Sequence, residues 1–169
     1  MKSLVPEQRT ILSLCLLALW VAGCASAPES ASPTRKQAVA HLYLFARPVA
    51  VRSENARTPD GFVVTLYATR GNNAQGVVIK SGKLEILMFD GVLKDNDPQS
   101  ATPLHIWTYP AAELNKYMGK SSLGMAYHFT PQWGQAKPTR NNITVVARYI
   151  PPQGSAIYSS ASTISVPIP

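Results

Sequence analysis

The sequence predicts an all-β protein, an antiparallel β-sandwich of seven or eight strands with one short connecting helix at about residues 110–118. Composition is the first observation, because 46% of the 169 residues are hydrophobic and only 15% are charged, as in one globular domain. The second observation is that 14 prolines and 10 glycines separate short runs of β-branched and aromatic residues. No helical pattern of about 10–15 residues lies between these runs, so parallel βαβ units are excluded.

The predicted strands are short runs of β-branched, aromatic or alternating residues, each bounded by turn residues. A first strand lies within 41–52 and is interrupted at Pro48. The other predicted strands are 62–68, 75–80, 83–89, 104–109, 123–129, 143–150 and 156–166. Their spacing and the turn residues between them favour an antiparallel sandwich.

The strand predicted at 123–129 has the clearest alternation in the domain. Its four large side chains share one face and are Leu123, Met125, Tyr127 and Phe129. That face is predicted to be buried because it removes more apolar area from water. The other face, which carries His128, is then predicted to point outward.

The helix is predicted from its two ends as well as from its composition. Pro110 stands where a first helical residue tolerates the missing N–H, and Gly119 ends the run of good helix formers. Leu114 and Met118 lie four residues apart, so both side chains can pack on the sheet.

Residues 1–23 have the features of an export signal. Two basic residues give a positive start, and the apolar run Ile11–Ala22 is shorter than the roughly 20 residues that span a bilayer. The run ends in Val21-Ala22-Gly23-Cys24, which resembles the lipobox of bacterial lipoproteins. The resemblance implies cleavage between Gly23 and Cys24, a diacylglycerol thioether on Cys24, and acylation of the new amino terminus.

The same resemblance divides the chain into a signal peptide (1–23), a lipidated cysteine with a flexible tether (24–37) and a β-sandwich domain (38–169). The small, polar, proline-containing composition after Cys24 is typical of such a tether. Ala25 stands where an aspartate would favour the inner membrane, so the resemblance implies anchoring in the outer membrane, facing the periplasm. Cys15 is removed with the signal peptide, which leaves no free thiol for catalysis or metal binding.

The folded region resembles the single immunoglobulin-like or transthyretin-like domains that many bacterial lipoproteins carry. The likeness is one of strand pattern over the domain, without a diagnostic motif. It therefore implies a fold and no assigned activity.

The residues that carry enzyme chemistry form no recognisable motif, so no catalytic residue, metal ligand or cofactor is predicted. His41, His105 and His128 are isolated in the sequence. A hydrolase that uses His105 or His128 with an aspartate is the third alternative for function. The acidic segment Asp90–Asp97 is interpreted as a solvated loop, with a calcium site as the alternative because carboxylates and carbonyl oxygens suit that ion.

One predicted strand presents aromatic rings on a single face. His105, Trp107 and Tyr109 share that face and are the tentative ligand-binding residues. Rings exposed on a sandwich can stack on sugars. The alternative is that they belong to the core, where large aromatic residues are common. Trp133 lies in a turn that could bring it near them.

Charge and compartment define the predicted partners. The formal net charge of +7 is spread along the chain, and it becomes +6 without Lys2, Glu7 and Arg9. An envelope location excludes nucleic acid, which leaves membrane lipid, an envelope protein or a glycan. The sequence therefore favours a non-enzymatic, lipid-anchored binding or structural module of the cell envelope. The alternative is a carbohydrate- or cell-wall-binding domain that uses the aromatic face.

Overall fold

Two antiparallel β-sheets pack face to face in this computed structural model, which describes residues 39–71 and 74–167 except for the side chain of Asp95. Nine strands lie in these residues: β1 (His41–Ala46), β2 (Val64–Thr69), β3 (Lys83–Asp90), β4 (His105–Pro110), β5 (Met118–Ser121), β6 (Gly124–Phe129), β7 (Asn142–Ile150), β8 (Ile157–Tyr158) and β9 (Ser162–Ser165). Sheet A has the order β1-β2-β6-β5. Sheet B has the order β4-β3-β7-β8, and β9 also pairs with β7. The predicted all-β antiparallel sandwich is confirmed.

The nine described strands differ from the eight predicted runs because one run is divided into two strands, one strand was not predicted, and one run forms no strand. The single strand predicted at 156–166 is divided into β8 and β9, which pair with different parts of β7. β5 was not predicted, since glycine and lysine in its centre have low strand propensity. It forms because it pairs along β6 in a hairpin that places Met118 opposite Tyr127.

The segment predicted as a strand at 75–80 contributes only an isolated bridge, between Gly76 and Gly124. It fits between the diverging ends of β2 and β6, where Gly76 N–H donates to the Leu123 carbonyl at 2.7 Å. A Cβ at Gly76 would overlap the carbonyl oxygen of Met125, so only glycine fits this close approach.

The connecting helix is present as a 3₁₀ helix, Ala111–Tyr117, directly after β4. Leu114 is its buried residue and joins the core between the sheets. The helix ends at Tyr117, one residue before the predicted end at 118, because Met118 begins β5. A second 3₁₀ helix, Lys94–Asn96, lies in the loop after β3.

The main core lies between the inner faces of the two sheets. Its largest fully buried side chains include Tyr127, Phe62 and Phe129. The hydroxyl oxygen of Tyr127 accepts a hydrogen bond from the Ile79 N–H at 2.7 Å, which satisfies the one polar atom of that ring. Burial raises the pKa of Tyr127, and the backbone hydrogen bond only partly offsets this effect.

The outer face of sheet B is covered by the chain itself. Leu87, Phe89 and Val146 form a second buried cluster with Leu93, which belongs to the loop after β3. Because sheet B is covered on both sides, β3 and β7 are buried almost throughout rather than at alternate residues.

The alternation predicted for 123–129 is correct for its C-terminal half. Tyr127 and Phe129 are buried and His128 is exposed, as predicted. Leu123 is 55% exposed, because it lies in the turn before β6 rather than in the strand. Ala126 is buried although it shares the face of His128, since its methyl group is too short to reach past its neighbours.

Candidate binding surface

The three predicted ligand-binding residues lie on the inner side of edge strand β4. His105, Trp107 and Tyr109 are each half-buried. The Trp107 ring meets Phe62 edge-on, with 5.4 Å between centroids, and the His105 ring lies 4.4 Å from Trp107. The structure therefore brings these rings together, and their packing partners are residues of the core.

Tyr109 belongs to a buried aromatic cluster. Its ring centroid lies 4.6 Å from Phe129 and 5.1 Å from Tyr117, a residue of the 3₁₀ helix. Burial, followed by the nearby Tyr117 hydroxyl, raises the pKa of Tyr109 to about 12. This ring is therefore a neutral packing group at neutral pH.

The other residues singled out from the sequence are dispersed. Trp133 is buried in the main core. Nδ1 of His128 lies 3.2 Å from Oγ1 of Thr65, on the outer face of sheet A. His41 begins β1 and is exposed. Gly23 and Cys24, the predicted cleavage and lipidation residues, lie outside the described residues.

The first carboxylate of the acidic segment, that of Asp90 at the end of β3, is hydrogen-bonded to residues far along the chain. The Asp90 carboxylate accepts hydrogen bonds from the N–H groups of Thr139 and Arg140, at 3.0 and 3.1 Å. Burial by itself raises the pKa of Asp90, but these hydrogen bonds, that from the Thr139 hydroxyl and the charge of Arg140 hold it below its usual value. Among the side chains that the structure describes, which do not include that of Asp95, no three histidine, cysteine, aspartate or glutamate residues form a group that could hold a metal ion.

A groove lies beside Trp133, between the loops that precede β2 and follow β6. Its volume is about 350 Å³, and both Arg57 and Asp60 line it. Hydrogen bonds from the side chain and the backbone N–H of Ser53 hold the pKa of Asp60 below its usual value. Lys137 also lines the groove, so two basic side chains stand against one carboxylate whose oxygens are already bonded to Ser53.

The outer face of sheet A carries exposed aromatic and apolar side chains. Phe45 is 56% exposed and Tyr43 is 48% exposed, and Leu123 lies beside them. Together with Tyr67 and Ala74 they enclose a shallow depression of about 170 Å³. We call these five residues the aromatic surface.

The register of β1 and β2 explains how the aromatic surface forms. Tyr43 lies directly opposite Tyr67, and Phe45 lies opposite Thr65, so these side chains share the outer face. The Phe45 and Tyr67 rings meet edge-on at 5.9 Å. The alternation His-Leu-Tyr-Leu-Phe in β1 was a signal for this face, but the sequence analysis did not assign the two sides of that strand.

The two outer faces differ in what lies over them. The loop after β3 covers Leu87 and Phe89 on sheet B. Within the described part of the chain, the rings of Tyr43 and Phe45 on sheet A have no comparable cover and remain half-exposed. An apolar patch of this kind marks a surface that contacts another molecule more often than one that faces water alone.

Comparison of the chain with protein-family models, with curated proteins and with solved structures finds no match in any of the three. No helix in the described residues is long and apolar enough to cross a membrane.

Proposed function

We propose that the protein is a lipid-anchored, non-enzymatic module of the cell envelope that binds through the aromatic surface. The observation that carries the binding role is the outward position of the Tyr43 and Phe45 rings. The lipobox-like sequence Val21–Cys24 supports the anchor. Ala25 favours the outer membrane, with the domain on its periplasmic side.

The composition of the aromatic surface favours an apolar partner. The only polar atoms in its five side chains are the hydroxyl oxygens of Tyr43 and Tyr67. Completing the burial of a half-exposed ring contributes about 1 kcal/mol, since burying a whole apolar side chain contributes roughly 1.5–3 kcal/mol. Two such rings and Leu123 can therefore support a weak contact, which suits a protein that is already held by an anchor.

The glycan-binding alternative derived from the sequence assigns the ligand to β4. There, Trp107 contacts Phe62 and Tyr109 contacts Phe129. Stacking a sugar on the inner sides of these rings requires those core contacts to separate, which costs packing energy. The exposed rings of sheet A need no such opening, so they are the favoured surface.

Metabolic labelling with palmitate tests the anchor, with each cysteine replaced in turn. Cys24→Ser is expected to abolish labelling, to retain the mass of the full chain and to prevent processing. Cys15→Ser is the matched control, because that residue is removed with the signal peptide. It is expected to be labelled and to reach the membrane fraction as the wild type does. If Cys24→Ser is processed and released like the wild type, the anchor proposal is wrong.

A further inference from the structure

We infer that the aromatic surface docks into the headgroup region of the membrane to which Cys24 is anchored, so that sheet A lies against the lipid. This inference rests on the proposed lipid anchor. It assigns one occupant to the surface, the bilayer interface, in place of a protein partner.

The side chains suit a membrane interface. Tyrosine and other rings with one apolar part and one polar end concentrate at the headgroup level of bilayers. Tyr43 and Phe45 project from the same face of β1, so both rings can enter the interface together. The rest of the surface, Tyr67, Ala74 and Leu123, adds no charge that would have to be dehydrated.

The connectivity of the chain brings this surface close to the lipid. The tether joins the domain just before β1, the strand that carries Tyr43 and Phe45. A linker of the length and composition predicted for the tether 24–37 would have a root-mean-square span of about 20 Å. Such a short linker gives an effective concentration on the order of millimolar, so a contact too weak to hold a free domain is sufficient here.

Basic residues at the ends of β1 and β2 favour anionic lipid. Arg47 directly follows β1 and is exposed. Arg70 directly follows β2, at the opposite end of the β1–β2 pair, but it is half-buried and its Nε atom is shielded from water, so Arg47 is the stronger of the two attractions. Anionic headgroups attract basic groups near the surface, and the net charge of +6 after the signal peptide acts in the same direction.

A reporter experiment measures which face meets the lipid. The chain from Cys24 onward is coupled through its single thiol to a maleimide lipid, in vesicles of phosphatidylethanolamine and phosphatidylglycerol with brominated acyl chains. Tyr43→Trp places a reporter on the aromatic surface. Thr108→Trp is the matched control, because Thr108 is exposed on the outer side of β4 in sheet B. The fluorescence of the wild-type protein is subtracted from both, and unfolding in urea verifies that each variant is folded.

The expected result is bromolipid quenching several-fold stronger at position 43 than at position 108, and weaker quenching when phosphatidylglycerol is omitted. If Tyr43→Trp does not fold, Phe45→Trp provides the reporter on the same surface. Equal quenching at the two positions, or none at either, overturns the inference. An unquenched surface whose rings are needed for a protein complex in the cell would assign the site to a protein partner instead.

Chemical coupling separates this inference from the anchor itself. The maleimide thioether holds the domain at the vesicle whether or not the cell acylates Cys24. A wild-type protein that takes up no palmitate label, or a Cys24→Ser variant that is still labelled, therefore refutes the anchor without affecting the quenching measurement. Equal or absent quenching refutes the docking while the anchor stands.

Discussion

Strands β1 and β4 each carry a histidine and two aromatic residues at alternate positions, but β1 exposes these rings and β4 turns them toward the core. β1 contains His41, Tyr43 and Phe45 at alternate positions, and all three are exposed. β4 contains a histidine followed by Trp107 and Tyr109 with the same spacing, and these rings face the core. Each strand lies at the edge of its sheet, so edge position does not explain the difference.

The residues between the rings differ between the two strands. In β1 they are Leu42 and Leu44, which have no polar atoms and are both buried. In β4 they are Ile106 and Thr108, which offer less apolar area than the two rings beside them. β4 therefore buries its rings, whereas β1 buries two leucines without polar atoms and leaves its larger rings outside. An aromatic pattern alone does not define which side faces out.

The largest expected loss of stability follows the removal of a ring that faces the core. Trp107→Ala is expected to lower the free energy of unfolding by about 3 kcal/mol, at the lower end for large aromatic residues because the ring is half-buried. Tyr43→Ala, the corresponding change in β1, is expected to stay within about 0.5 kcal/mol of the wild type. Urea unfolding of the chain from Cys24 onward measures both. Equal losses would show that the two strands do not differ in packing.

The second largest expected loss of stability comes from the residues that lie between the rings. Leu42 is 4% exposed and Ile106 is 41% exposed. Leu42→Ala is expected to cost about 2 kcal/mol, whereas Ile106→Ala is expected to cost less than about 1 kcal/mol. Thermal unfolding of the two variants in the same buffer gives the difference. A greater loss for Ile106→Ala would contradict the assignment of faces.

The smallest expected loss of stability comes from the ion pairs of Glu85 on β3, the strand next to β4. Glu85 lies opposite Thr108 in the register and accepts a hydrogen bond from Nε of Arg148 at 2.7 Å. Its carboxylate also pairs with Nζ of Lys83 at 2.8 Å. Burial by itself raises the pKa of Glu85, but the hydrogen bonds and charges of both partners outweigh it and hold the pKa below its usual value.

Because the pKa is lowered on folding, the ionised carboxylate stabilises the folded state above the unfolded pKa of about 4.5. This contribution is lost as the pH falls below that value and through the native pKa. Glu85→Gln is expected to cost about 1 kcal/mol at pH near 7. Its unfolding midpoint in urea is expected to change less than that of the wild type on acidification. Parallel pH curves would show that Glu85 does not contribute to acid sensitivity.

The sequence by itself determined the fold class and much of the strand set. Alternation and turn residues were sufficient because they act over a few residues, as at β3 and β7, whose ends agree with prediction to about one residue. The helix after Pro110 was also predicted in place, although its 3₁₀ form was not. The lipobox is likewise a local pattern, and the anchor it implies stays a prediction.

Only the tertiary structure decided which face of each strand is buried. β5 exists because β6 offers a partner, and Ala126 is buried because larger neighbours surround it. The outer face of sheet B is covered by a loop distant in sequence from β7, whereas the rings of Tyr43 and Phe45 remain uncovered. These outcomes depend on competition for buried area among residues far apart in the chain, which no short window of sequence contains.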